Sequence, residues 1–179
     1  PNGEVVIDFG QNIAGYVKFG FYAQAGQCIT LYHGECLDQN GNFTQENFQA
    51  PEHRVEQCVK YICKEGWNEY KPEKSIFGFR YIKAITDVKV TEKNFTAIAV
   101  YSDMPQTGKF ECGHPGINQL FSNAVWSMKG NFLEIPTDCP TRERTGFTGD
   151  AQVFVNTGMY LMECYPVYRK FLSELREVQ

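Results

Sequence analysis

The first hundred residues consist of short apolar runs, rich in β-branched and aromatic residues, that alternate with glycines and polar turns. The runs that we interpret as strands cover residues 4–10, 16–21, 28–33, 55–64, 80–90 and 96–101, with 108–112 as a candidate seventh. Because no helical period separates them, this pattern predicts an antiparallel β-sandwich. The polar stretch 37–53 carries turn residues at 39–42 and predicts a long surface loop.

After Cys112 the period of the apolar positions changes from two residues to that of a helix. Pro115 is a typical first helical residue, and a single apolar stripe follows it to about Gly130. Further helices are predicted from Asp150 and from near Val167. We therefore expect a β-sandwich domain at residues 1–105, followed by a linker and the first helices of an α-helical domain at residues 106–179.

The two ends of the chain suggest that it is part of a longer protein. It opens without an initiator methionine, and it stops within a helical pattern that has no glycine or proline terminator. Three amphipathic helices alone would leave apolar faces uncovered. We expect further helices, or a partner chain, to cover them.

Composition excludes several classes of protein. Hydrophobic residues make up 42% and charged residues 21% of the chain, as in ordinary globular proteins. No apolar run approaches the roughly 18 residues of a membrane span, and a net charge of −4 offers no basic surface for nucleic acid. The aromatic content of 15% is high, and aromatic side chains both fill sheet cores and line sugar-binding clefts.

The cysteines and histidines indicate neither a metal centre nor a cofactor site. Seven cysteines are present without a C-x-x-C motif, and the three histidines are scattered. We expect reduced cysteines, no metal and no cofactor.

Charged side chains concentrate in residues 136–152, between the first two predicted helices. The carboxylates Asp138, Glu143 and Asp150 lie there with Arg142 and Arg144. When carboxyl groups crowd together beside arginines, their pKa values differ, so one group can keep its proton while its neighbours are ionised. Acid catalysis requires such a protonated group. A solvated loop with internal salt bridges, and with Asp150 as a helix N-cap, explains the same composition and is the commoner outcome.

Residues 138–150 closely resemble the catalytic signature of bacterial α-L-rhamnosidases, which are inverting glycoside hydrolases with an (α/α)6 barrel. Residues 8–15, 33–37 and 77–82 are similar to β-sandwich motifs of that family, and residues 107–112 are similar to its link into the barrel. The matches follow the family's order and cover nearly the whole chain. The resemblance implies a β-sandwich followed by the start of the catalytic barrel.

The resemblance also implies roles for individual residues. Glu143 matches the general acid, and Asp138, Arg142 and Asp150 match residues that hold the rhamnose hydroxyls. Phe147 stands where the family usually has a tryptophan. If this ring faces the sugar, it lacks the N–H donor that an indole ring would provide. Arg144 follows Glu143 where two consecutive acids are common, which leaves Glu143 as the only candidate acid of that pair.

An inverting glycosidase needs a second carboxylate about 6.5–9.5 Å from the first. In the family this base lies in a later barrel helix, so we expect the chain to be an inactive fragment of an enzyme acting on rhamnose-containing glycans or glycosides. The alternatives are a non-catalytic carbohydrate-binding module and a structural accessory domain. A bacterial periplasmic, secreted or cytoplasmic location fits equally well.

Overall fold

A computed structural model describes residues 4–49 and 55–179, and the chain divides into two compact units, Pro1–Ala99 and Val100–Gln179. The first unit contains the strands β1 (Val5–Ala23), β2 (Cys28–Gly34), β3 (Cys58–Ile62), β4 (Gly66–Tyr70), β5 (Phe77–Thr86) and β6 (Phe95–Ala99). The second contains the helices α1 (Pro115–Asn131), α2 (Thr148–Leu161) and α3 (Tyr165–Glu177). The predicted order, an antiparallel β-rich part followed by helices, is confirmed.

The strands of the first unit form one antiparallel sheet. Its order is β3-β2-β5-β1-β4, with β6 paired to β1. The 19-residue strand β1 pairs first with β5, then with β6 and β4 along its second half. We predicted two strands here. They join because the register shifts between Asp8 and Ile13, where Gly10 takes a φ of 78° and its N–H donates to Asp8 Oδ1 at 2.7 Å.

The core of the first unit is built around Phe19 of β1, which is 1% exposed. Its ring lies 5.6 Å from Tyr70 of the neighbouring strand β4 and 5.4 Å from Tyr61 of β3. Since β3 lies at the far end of the sheet from β4, this contact shows that the sheet folds over on itself. The two layers of the predicted sandwich therefore come from one continuous sheet.

Two sequence interpretations of the strands were wrong. Strand β4 was not predicted, and residues 108–112 do not form a strand. In the predicted surface loop, the described residues 37–49 contain an isolated bridge between Leu37 and Phe43 and a 3₁₀ turn at Glu46–Phe48. Residues 50–53 of that loop lie outside the described residues.

The three helices of the second unit pack around a shared apolar core. Its buried members include Val125 and Met128 of α1, Leu161 of α2, and Val167 and Phe171 of α3. Helix α1 begins as predicted, with Pro115 in its first turn. In the described part of the chain, no helix is long and apolar enough to cross a membrane.

Candidate active site

The segment between α1 and α2 is closed by Asp138 and Thr145. The Thr145 N–H donates to Asp138 Oδ1 at 2.9 Å, and the Asp138 N–H donates to the Thr145 carbonyl at 3.1 Å. The Thr145 hydroxyl also donates to the Glu143 carbonyl at 3.1 Å. These bonds turn residues 138–145 into a compact loop, which we call the acid loop.

Glu143 projects from the acid loop and contacts both Arg142 and Cys139. The Arg142 guanidinium donates to Glu143 Oε1 from Nε at 3.0 Å and from Nη2 at 2.6 Å. The other carboxylate oxygen, Oε2, lies 4.0 Å from the Cys139 sulfur. Because the Arg142 and Glu143 side chains are 42% and 41% exposed, their ion pair adds little stability. Its effect is to orient the carboxyl group.

Asp138, Cys139 and Glu143 form a close cluster, in which one ligand atom from each residue lies within 4.8 Å of the other two. Burial raises the pKa of Asp138, but hydrogen bonds from Glu143, the Thr145 amide and Cys139 outweigh it, so the pKa is lowered overall. The three groups could offer ligands to a cation. The Arg142 guanidinium already contacts Glu143, however, and its positive charge opposes a metal ion there.

Arg144 has an unusual backbone conformation. Its φ of 54° lies in the left-handed region, which non-glycine residues seldom adopt. Its Nε donates to the Thr141 carbonyl at 3.3 Å, and burial lowers the pKa of its guanidinium. Arg144 therefore stabilises the turn of the loop.

A cavity of about 520 Å³ lies beside the acid loop, between the helices of the second unit. Asp138 from the loop and Asp150 from the first turn of α2 line it, together with apolar side chains such as Met128, Phe132 and Phe154. Tyr168 of α3 also lines it, and its buried hydroxyl has no hydrogen-bond partner among the described residues. Burial raises the pKa of Tyr168 to about 12. The cavity thus combines an apolar surface with carboxylates.

The predicted site residues separate into two groups. Asp138 and Asp150 line the cavity, whereas Arg142, Glu143 and Phe147 do not. Phe147 caps the start of α2 and is 46% exposed, so its ring remains accessible. The interpretation of Asp150 as a helix N-cap was wrong, because α2 begins at Thr148. Asp138 alone belongs to both the cluster and the cavity.

Sequence reasoning missed three contributors to the site: Cys139, Thr145 and Tyr168. Cys139 lies four residues before Glu143, and Thr145 lies seven after Asp138. No spacing rule assigns those contacts, because they depend on how the loop closes. Tyr168 occupies a core position of α3, where an aromatic residue is ordinary, so its identity alone does not indicate a site.

An antiparallel β unit, followed by helices that present a carboxyl cluster beside a cavity, agrees with the resemblance of the sequence to a family of glycoside hydrolases. Residues 1–101 match the bacterial alpha-L-rhamnosidase concanavalin-like domain, and residues 105–179 match the bacterial alpha-L-rhamnosidase 6 hairpin glycosidase domain. The chain belongs to the bacterial α-L-rhamnosidase family.

Individual relatives agree with this assignment. An α-L-rhamnosidase of Formosa agariphila is 35% identical over 179 residues, which cover 98% of this chain and 19% of the relative. The crystal structure of the Streptomyces avermitilis α-L-rhamnosidase complexed with L-rhamnose is 35% identical, with a TM-score of 0.92, and the match covers 100% of this chain and 17% of that one. The crystal structure of the native α-L-rhamnosidase from Aspergillus terreus is 36% identical, with a TM-score of 0.88. The match covers 96% of this chain and 20% of that one. The chain therefore spans about a fifth of the length of these relatives.

Proposed function

We propose that the protein to which this chain belongs hydrolyses terminal α-L-rhamnosides with inversion, and that Glu143 is its general acid. Asp138, Arg142, Asp150 and Phe147 hold the sugar in this proposal. The observation that carries it is the contact between Glu143 and the lowered-pKa carboxyl of Asp138. The relatives named as α-L-rhamnosidases supply the reaction.

The carboxyl pair supports an acid at Glu143 because of where it can hold a proton. Two carboxyl groups hydrogen-bond to each other only when one of them is protonated. Hydrogen bonds with Glu143 and the Thr145 amide lower the pKa of Asp138, so Asp138 is the carboxyl group of the pair that is suited to stay ionised. In our proposal Glu143 is the member of the pair that gives a proton to the glycosidic oxygen when the sugar arrives.

Asp138 is too close to Glu143 to act as the second carboxylate of an inverting pair. Inversion needs about 6.5–9.5 Å between the carboxyl groups, so that a sugar and a water fit between them. Here one carboxylate oxygen of Asp138 lies within 4.8 Å of one of Glu143. The base in our proposal is therefore contributed by a part of the protein outside these 179 residues.

The surfaces of the helices fit this proposal. Leu120, Val153, Tyr160 and Leu172 are each more than 60% exposed, although they lie on three different helices. Large exposed apolar surfaces of this kind usually pack against something. We propose that further helices of the same domain cover them, and that the 179-residue chain alone has no rhamnosidase activity.

The decisive experiment replaces Glu143 by Gln in the full-length protein. Glutamine keeps the shape of the side chain but cannot transfer a proton, so kcat should fall by about 10²–10⁴ on an alkyl rhamnoside with little change in KM. A nitrophenyl rhamnoside, whose leaving group hardly needs protonation, should lose much less. The matched control is Glu134→Gln, which removes an 84% exposed carboxylate elsewhere in the same unit.

Two results would contradict the proposal. Equal losses on the two substrates would show that Glu143 is not the acid. NMR of the fresh product should detect the anomer of inverted configuration, and the retained anomer would instead refute inversion.

A further inference from the structure

Cys139 lies at the centre of the acid loop and contacts both of its carboxyl groups. Its sulfur accepts the Glu143 backbone N–H at 3.3 Å and lies 4.0 Å from Glu143 Oε2. The sulfur also lies within 4.8 Å of a carboxylate oxygen of Asp138, and the Cys139 side chain helps to lower the pKa of that carboxyl group. The Cys139 thiol therefore lies beside the backbone and the carboxyl group of Glu143, and also beside the carboxyl group of Asp138.

The contacts of Glu143 divide between its two carboxylate oxygens. Arg142 donates twice to Oε1, whereas Cys139 is the neighbour of Oε2. Arg142 therefore anchors one oxygen only. The thiol adds a contact at the other oxygen, which narrows the rotation of the carboxyl group about its terminal bond. It also holds the Glu143 backbone in place through the N–H bond.

We propose that Cys139 is a positioning residue that fixes the orientation of the Glu143 carboxyl group and its spacing from Asp138. This inference rests on the proposed function, since it assigns Cys139 a role through the general acid. It does not make Cys139 a nucleophile. The sulfur accepts from the backbone N–H of Glu143, and its single S–H is a weak donor to the carboxyl oxygen Oε2.

The alternative is that Cys139 only stabilises the loop. A stabilising residue would change the amount of folded protein and affect all substrates alike. A residue that positions the acid should affect protonation of the leaving group above all. The choice of substrate therefore separates the two roles.

The test compares Cys139→Ala and Cys139→Ser in the full-length protein. Loss of one hydrogen-bonding group at the acid should lower kcat on an alkyl rhamnoside about fivefold to tenfold, and it should displace the limb of the pH–rate profile that reports the acid. A nitrophenyl rhamnoside should be affected less than twofold. Serine keeps a donor and an acceptor at the same position, so it should recover most of kcat and the pH profile.

Cys112→Ala is the matched control. Cys112 is also a half-buried free cysteine of the second unit, and its sulfur lies near the His114 carbonyl rather than a carboxylate. This variant should keep wild-type kcat on both substrates. Thermal unfolding of each variant should be measured alongside, so that rates can be referred to folded protein.

Three outcomes would overturn the inference. These are a Cys139→Ala enzyme with wild-type kcat and pH profile, equal losses on both substrates, and a serine variant no better than the alanine variant. The proposed function fails separately, through Glu143→Gln. If Glu143→Gln shows the expected dependence on the leaving group and Cys139→Ala does not, only the role of Cys139 is refuted.

Discussion

Acidification from pH 7 to pH 5 should destabilise the β unit through His33. This side chain is 0% exposed, its ring stacks on Phe77 at 4.2 Å, and its Nδ1 lies 3.4 Å from the Gln57 carbonyl. Its Nε2 has no hydrogen-bond partner among the described residues. Burial lowers the pKa of His33 to about 4, against a smaller raising effect of the Gln57 carbonyl. His33 is therefore neutral in the folded protein at neutral pH.

The size of the effect follows from the difference in pKa between the two states. The unfolded chain binds a proton at His33 below about pH 6.5, whereas the folded chain binds it only near pH 4. The contribution of neutral His33 to stability is thus fully present above about pH 6.5 and is lost as the pH falls towards 4. The total loss is about 3 kcal/mol, of which about 2 kcal/mol falls between pH 7 and pH 5. The pKa values of Asp8 and Asp38 are lowered from 3.8, so their losses come at more acidic pH.

Urea unfolding at pH 7, 6 and 5 would measure this dependence. The chain has two tryptophans, so Trp126→Phe leaves Trp67 of β4 as a fluorescence probe of the β unit. In that background, His33→Gln should be less stable at pH 7 but should lose far less stability on acidification. If the Trp126→Phe protein lost the same free energy of unfolding between pH 7 and pH 5 with and without His33→Gln, the assignment to His33 would be refuted.

Two further predictions concern the same unit. Asn68→Ala should lower the free energy of unfolding by roughly 2–4 kcal/mol, because it removes the partners of the Lys64 N–H, the Lys64 carbonyl and the Gly66 carbonyl in a fully buried place. Urea titration followed at Trp67 would measure it, and a loss below 1 kcal/mol would contradict the argument. Gly15→Ala should cost about 3 kcal/mol or more, since a Cβ there would lie 1.9 Å from the Ile98 carbonyl oxygen. In the matched variant Gly113→Ala the added Cβ has no atom within 4 Å, so this substitution should hardly change stability. Equal thermal stabilities of the Gly15→Ala and Gly113→Ala proteins would refute the close approach of β1 and β6.

The helices were predictable because their signals are local. The apolar stripe and Pro115 placed α1 to within about one residue of its ends. Helix α3 begins at Tyr165, two residues before the predicted start, with Pro166 in its first turn. A proline is tolerated there because the first N–H groups of a helix have no partner within it.

Strand β4 was not predictable from its own residues. Its central Asn68 is polar, yet it is fully buried and hydrogen-bonded to the turn at Lys64 and Gly66 and to the Tyr61 hydroxyl. The amide thus takes a core position that the hydrophobic pattern reserves for an apolar side chain. Such a substitution depends on tertiary contacts, which a pattern of single residues does not contain.

The residues of the acid loop were recognisable as a group, but their contacts were not. Composition indicated crowded carboxylates between two helices, and the structure separates them into a cluster at Glu143 and a cavity that includes Asp150. The loop between them also contains a left-handed conformation at Arg144, which would usually be expected at a glycine. The sequence therefore indicates the chemistry of the loop, while its geometry depends on the hydrogen bonds and the backbone conformation that close it.

The hydrogen bonds that hold Asp138, Cys139 and Glu143 together join residues no more than seven apart. Closing such a short loop costs little chain entropy, so these contacts are local in the chain. The second carboxylate of the proposed reaction, by contrast, must be brought in by tertiary structure. Substitutions within the loop should therefore alter protonation of the leaving group, whereas substitutions that shift the distant carboxylate should alter attack by water. These two defects can be distinguished, because only the first is relieved by an activated leaving group.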